Sequence, residues 1–312
     1  MKGRIDVHHH IMPPQYVQIM GAGPIGAPSI SRKVPAWSRE SATEILDRQG
    51  IAQAITSISA PGVLLDDASA TARLARLCND YSARLAQDYP GRFGTFAILP
   101  LPDVAASIRE CDYALDVLKA EGVVLMTNYR DRYLGDPAFA PLMDHLHARK
   151  AILFIHPTVC GCNVCHPAAS VSLLEFPFDT TRAIVSLLLS RTLERCGDIR
   201  FLFSHGGGSI PYLAGRIAGL SARNALLDRP LDVLALLRGL YYDTALSTSR
   251  PVFAALREVT SIEHILFGTD YPFAPDAQVG ATVRGLKDVG LDESERRMVE
   301  SENALRLLAR PC

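Results

Sequence analysis

The segment Asp6-Val7-His8-His9-His10 opens the chain with three consecutive histidines. In an extended strand successive side chains alternate faces, so His8 and His10 point one way and His9 the other. Two imidazoles leaving a strand end side by side make half of a metal site. A purification tag or a surface histidine run would lie outside any fold pattern, whereas this run is embedded in one. Three later segments end in the same manner: Ile152-Leu153-Phe154-Ile155-His156, Phe201-Leu202-Phe203-Ser204-His205 and Ile265-Leu266-Phe267-Gly268-Thr269-Asp270. Each is an apolar run closing on a polar, ligand-type residue. One histidine after an apolar strand is ordinarily a hydrogen-bonded core residue. Four such endings on one rim are hard to attribute to packing.

Such endings need strands that present their C-terminal edges to a common centre. Eight short apolar or β-branched runs can be placed, at 4–8, 52–57, 93–99, 122–126, 151–156, 200–205, 240–243 and 262–267. Segments of 3.6-residue periodicity separate them, at 68–88, 104–120, 137–150, 178–196, 210–225 and 251–258. Strands alternating with helices imply parallel pairing and right-handed crossovers, and eight of them close into an α/β TIM (β/α)₈ barrel. A doubly wound open sheet is the alternative arrangement. Two long connections, 11–40 after strand 1 and 157–177 after strand 5, are the insertions from which a pocket or lid is built. Residues 1–312 need only one domain.

Lys and Arg number 32 against 33 Asp and Glu, so no net field favours nucleic acid or an anionic membrane. Apolar residues make up 48% of the chain, enough for a large core, and the implied partner is a small molecule. The apolar stretch 183–189 is too short to cross a bilayer. No apolar segment follows the early basic residues as a signal peptide would require. With that, an odd count of seven cysteines points to reduced thiols and a cytoplasmic location.

Taken together, DVHHH, FIHP at 154–157, FSHGGGSIPYLAGR at 203–216, GTDYPF at 268–273 and ENALRLL at 302–308 resemble the ACMSD-like branch of the amidohydrolase superfamily, called amidohydrolase 2. The segments 125–129, 133–137 and 178–182 are similar to 6-methylsalicylate decarboxylase-like members. The resemblance implies a TIM barrel with one divalent metal on His8, His10, His156 and Asp270, and with His205 and Asp270 as catalytic residues. The fourth strand ends Leu125-Met126-Thr127-Asn128, without the lysine that bridges two metals in binuclear relatives. Three imidazoles and a carboxylate suit Zn²⁺ first, with Mn²⁺ as the rival.

Two chemistries follow. In non-oxidative decarboxylation the metal would chelate the carboxylate and neighbouring hydroxyl of a small aromatic, hydroxybenzoate-like acid, while Asp270 or His205 protonates the ring carbon. In hydrolysis, metal-bound hydroxide would attack a lactone, ester or amide. The resemblance favours the first. An inactive metal-binding scaffold is a third reading, against which both Asp270 and His205 stand.

Tyr271 and Phe273 follow the last ligand and are candidate contacts for an aromatic ring, as is Trp37 in the first insertion; Asn128 closes the fourth strand. The resemblance also implies a homodimer in which Arg216 reaches the neighbouring subunit's substrate carboxylate. Relatives place an arginine in the first insertion, but no residue here aligns with it, Arg32 being merely nearby. A monocarboxylic acid fits that reduced positive charge. Cys160, Cys162 and Cys165 lack a second cysteine pair and read as reduced thiols in an active-site loop rather than a zinc knot.

Overall fold

The computed structural model describes residues 3–159, 169–225 and 227–309. Eight parallel strands lie in chain order: β1 Arg4–His10, β2 Ile51–Ser57, β3 Phe93–Ile98, β4 Gly122–Met126, β5 Ile152–His156, β6 Arg200–Phe203, β7 Tyr241–Asp243 and β8 Ile265–Leu266. Their residues are almost continuously buried, as expected of strands covered on both faces. The seam between β8 and β1 closes through backbone bonds. Val7 N donates to Phe267 O (3.0 Å), Asp270 N to His8 O (2.8 Å) and His10 N to Tyr271 O (2.7 Å). The sheet is therefore the barrel that the alternating pattern implies, rather than an open sheet.

Helices pack outside. The helix Ala68–Asp88 has the predicted bounds, and its Asp67 cap accepts from Ala70 N (2.5 Å). Others differ from the periodicity. The run at 178–196 begins earlier, as Glu175–Leu189, and breaks at Arg191 (φ 59°) before a short turn Thr192–Arg195. The run at 104–120 is α-helical only over Val104–Asp112 and continues as a wider turn, Tyr113–Val117. Helices Arg39–Arg48, Val233–Arg238 and Asp276–Asp288 carry no expectation from the sequence. The first is set by a capping box in which Ser38 and Ser41 each accept the other's backbone N–H.

The first insertion is not all loop. It holds two short helices, Pro14–Met20 and Ala22–Gly26. It is laced to the second insertion by Ser170 Oγ donating to Pro28 O (2.5 Å) and Arg32 Nη2 donating to Ala169 O (2.8 Å). Cys160, Cys162 and Cys165 lie outside the described residues. No helix among the described residues is long and apolar enough to cross a membrane.

The predicted strand at 262–267 is shorter in the structure, because Ile262–His264 forms a tight turn before β8. The chain then passes Gly268, where an added Cβ would stand 2.9 Å from His8 Cβ and 3.1 Å from Asp243 Cβ. Only a residue without Cβ lets the three strand ends meet so closely. Gly268→Ala is expected to destabilise the barrel by about 1–3 kcal/mol through this overpacking. Urea denaturation measures it, and an unchanged midpoint would show that β1 and β7 have room to spare.

Candidate metal centre

Strand alternation is obeyed at the rim of the barrel. His8 and His10 face inward and His9 outward, where His9 Nδ1 meets Asp6 Oδ2 (3.0 Å) and its ring lies 5.0 Å from that of Tyr271. His8 Nε2 and His10 Nε2 are 3.0 Å apart, and Asp270 Oδ1 is 3.3 Å from the first and 3.1 Å from the second. Ligand atoms of His8, His10, His156 and Asp270 all lie within 4.8 Å of one another, and all four residues are buried. The long-range convergence expected from the sequence is present.

Each imidazole has an acceptor behind its other nitrogen. His8 Nδ1 lies 2.7 Å from Asp243 Oδ2, His10 Nδ1 lies 3.1 Å from Ser57 Oγ, and His156 Nδ1 lies 2.8 Å from Pro157 O. A proton held on Nδ1 leaves the Nε2 lone pair directed at the centre, the usual support for a ligating histidine. Asp243 also accepts from the backbone N–H of His205 (3.0 Å) and of Ala245 (2.9 Å). It is the residue that sequence reasoning missed, although β7 ends on it as β5 ends on His156.

The electrostatics ask for a cation. Burial alone would depress His8, but Asp243 and Asp270 outweigh it and push its pKa up to about 10. Burial lowers His10 to about 4, and the charge on His8 adds to this against the hydrogen bond with Asp270. Burial and the neighbouring imidazoles hold His156 well below its ordinary value. Burial would raise Asp270, yet the imidazoles of His10, His205 and His8 keep it well below the usual carboxylate range. Two carboxylates thus face a buried cluster of imidazoles whose charge, with no ion between them, is balanced by a proton on His8; the same donor set fits one divalent ion in that proton's place.

His205 stands at the edge of this centre. Its Nε2 is 3.6 Å from Asp270 Oδ2, beyond a hydrogen bond, and its buried Nδ1 has no partner among the described residues. His205 (φ 54°) and Asp270 (φ 65°) both occupy the left-handed region, which histidine and aspartate visit more readily than most residues. Sequence placed His205 at the end of a strand. It instead starts a tight turn, His205–Gly207, because Gly206 also takes φ 63° and the chain must reverse beneath Ser247.

A cavity of about 430 Å³ opens above the centre. His156, His205 and Asp270 line its floor, Phe176 and Phe273 its walls. Phe273 packs edge-on against His10, ring centres 5.7 Å apart. Of the other expected substrate contacts, none lines this cavity. Trp37 packs on Tyr81 (6.1 Å), Tyr271 OH reaches Ser41 Oγ (3.3 Å), and Asn128 Nδ2 donates to the buried Asp179 (3.1 Å). Arg216 is exposed on the helix Ile210–Ser221. Ser59 and Ser247, not anticipated, line the cavity with hydroxyls that bond no described residue.

A TIM barrel with mixed histidine and aspartate ligands at its C-terminal rim defines a metal-dependent enzyme class. The chain belongs to the amidohydrolase family Amidohydro_2, which matches residues 5–310. It is 36% identical over 327 residues to "Decarboxylase yanB" of Aspergillus niger, covering 98% of this chain and 88% of the relative. It is 35% identical to the 6-methylsalicylic acid decarboxylase of Penicillium expansum, covering 98% and 96%. Among solved structures, an amidohydrolase II superposes with a TM-score of 0.90 at 28% identity, covering 98% and 99%. A 5-carboxyvanillate decarboxylase from Novosphingobium aromaticivorans, with bound manganese, has the same fold (TM-score 0.85, 19% identity, 98% and 97% covered).

Of the four ligand side chains, Asp243 bonds that of His8 among the described residues, so Asp243→Asn is expected to weaken metal binding about 10–100-fold while the barrel stays folded. Competition with a chromogenic chelator reads the affinity, with circular dichroism as the control. Wild-type affinity in the variant would remove Asp243 from the site's support.

Proposed function

We propose that the chain, acting as one domain, is a metal-dependent non-oxidative decarboxylase of a small aromatic, hydroxybenzoate-like carboxylic acid. The observation that carries it is the cavity itself. A metal-fitted floor with His205 and Asp270 side by side lies under aromatic walls, in a chain whose relatives include decarboxylases at 35–36% identity.

Zn²⁺ is the ion we favour for three nitrogens and one oxygen; manganese, present in the 5-carboxyvanillate decarboxylase, is the rival. When bound, the ion supplies polarisation of the substrate's carboxylate and neighbouring hydroxyl. The remaining work falls to side chains. Phe176 and Phe273 hold the ring and exclude water from it. Ser59 and Ser247 offer hydroxyls to ring substituents. Asp270 presents Oδ1 to the ligand nitrogens and Oδ2 to His205 Nε2, so that a proton on His205 is held beside the floor. Its delivery to the carboxyl-bearing ring carbon forms a C–H bond. The electrons of the breaking C–C bond return to the ring, CO₂ departs, and solvent reprotonates His205.

An apolar surface beside the cavity supports a homodimer: Phe178, Pro211, Tyr212 and Pro251 border a shallow groove, with Tyr212 88% exposed. Arg216 lies on the same helix as Tyr212 and makes no ion pair or hydrogen bond to a described residue, which leaves it available to a second copy. Light scattering reads the oligomer. The unpaired, buried Cys78, Cys111 and Cys196 agree with a reducing, cytoplasmic setting.

The test loads purified protein with Zn²⁺ or Mn²⁺ and offers hydroxybenzoates, lactones and aryl esters, with CO₂ and acid release followed separately. CO₂ from the hydroxybenzoates is the expected result; turnover confined to lactones or esters would overturn the proposal. His205→Asn is expected to lower kcat by about 10²–10⁴-fold with metal content retained. Asp270→Asn loses activity to a similar degree and metal content as well. Near-normal kcat in either variant would remove that residue from proton transfer.

A further inference from the structure

The floor of the cavity is polar and its mouth is not. Ile30 from the first insertion, Leu173 from the second, Leu246 after β7 and Val252 in the helix Arg250–Val259 all line the cavity, and all four are exposed. Apolar side chains from four separate segments gain little from the fold while facing solvent, and such a ring marks a surface awaiting a ligand.

Leu246 departs furthest from local preference. It is 50% exposed and sits at φ 55°, a left-handed conformation that glycine or asparagine adopts with less strain. The turn is fixed on both sides: Ala245 N donates to Asp243 Oδ1 (2.9 Å) and Ser247 N to Thr244 O (3.0 Å). A leucine in a left-handed, solvent-facing position at a cavity mouth gains little for the fold there, which turns attention to what it would touch.

Charge points the same way. Among the described residues, no lysine or arginine lines the cavity. Arg32, the arginine nearest the first-insertion wall, spends its guanidinium on Ala27 O and Ala169 O, and Arg39 pairs with Asp88 (2.8 Å). Segment 160–168, outside the described residues, contains neither lysine nor arginine. Under the proposed function the floor takes one carboxylate, and among the described residues no lysine or arginine of this chain stands at the cavity to neutralise a second.

We infer that the substrate is a monocarboxylic aromatic acid carrying an apolar substituent on the ring edge remote from the carboxylate, and that Leu246, within the ring it forms with Ile30, Leu173 and Val252, is a specificity-determining residue that grips this substituent. The inference deepens the decarboxylase reading and rests on it for the orientation of the acid toward the floor. Metal at the floor fixes the carboxylate end; the mouth reads the other end, favouring hydrocarbon and rejecting a second acid.

Calorimetric titration of the manganese-loaded protein with three matched ligands tests it: 2-hydroxybenzoate, its 4-propyl derivative and its 4-carboxy derivative. The propyl compound is expected to bind at least tenfold more tightly than the parent, and the dicarboxylate at least tenfold more weakly. Leu246→Asn and Leu246→Gly, both tolerant of left-handed backbone, should keep or raise the thermal midpoint yet lose at least fivefold of the propyl preference. Equal binding of the three ligands, or an undiminished propyl preference in both variants, would overturn the inference. Binding is read without turnover, so the two readings fail separately. Propyl preference without CO₂ release sinks the decarboxylase and leaves the mouth's role standing; CO₂ release without the preference does the reverse.

Discussion

Three imidazole nitrogens and a carboxylate oxygen share a buried space small enough that their mutual charge must be settled before anything else in the barrel mouth can be. With Asp243 behind His8 and Asp270 in front of it, two negative groups sit where water is largely excluded. Burying such charges unpaired would cost several kcal/mol each. Positive charge must therefore reside among them, on His8 as a proton or at the convergence point as a divalent ion. Below the centre the barrel is apolar: Phe154 lies 5.0 Å from His8 and 5.6 Å from Phe96, ring centre to ring centre. Asp243 and Asp270 each direct an oxygen at the ligand imidazoles from opposite sides.

That requirement explains where the backbone departs from easy geometry. His205 and Asp270 take left-handed φ values, and Gly268 admits His8 and Asp243 to contact distance. Each departure destabilises locally, and each is held by bonds that belong to the closure of the barrel. Asp6 accepts from His8 N (3.0 Å), Thr269 N (3.0 Å) and Thr269 Oγ1 (2.5 Å), which ties the strand bearing two ligands to the turn bearing the fourth. The seam between first and last strands is thus also the hinge of the metal centre, and strain at the site is compensated by the same contacts that finish the fold.

Much of this was legible in the sequence because it depends on short-range rules. Strand alternation alone separates His8 and His10 from His9, and the apolar runs before His156, His205 and Asp270 mark the rim. What stayed hidden depends on direction in space. Asp243 ends a strand of only three residues, Tyr241–Asp243, too short for periodicity to single out. Trp37, Tyr271 and Asn128 have the right chemistry for a pocket, but their side chains are claimed by Tyr81, Ser41 and Asp179. Phe273 is two residues past Asp270 and faces the cavity, whereas Tyr271, one residue past it, pairs with His9 on the far side. Ser59, Ser247 and Leu246 follow strand ends in loops, where no period predicts which side chain turns inward.

The contrast between rim and loops separates two kinds of determinant. Ligand geometry is set by strand ends whose positions the barrel fixes, so it tolerates little change in sequence around it. The cavity wall is set by insertions that are bound to each other through Ser170–Pro28 and Arg32–Ala169, contacts that involve none of the four ligand side chains. The first insertion contributes Pro28, Ser29 and Ile30 to the cavity wall and no charged side chain, and its Arg32 is engaged in that lacing. A chain built this way can keep one chemistry at its floor and alter what it accepts by exchanging residues at the mouth, since the side chains that would carry each change are not shared. The barrel supplies the reaction; the laced loops choose the molecule on which it is performed.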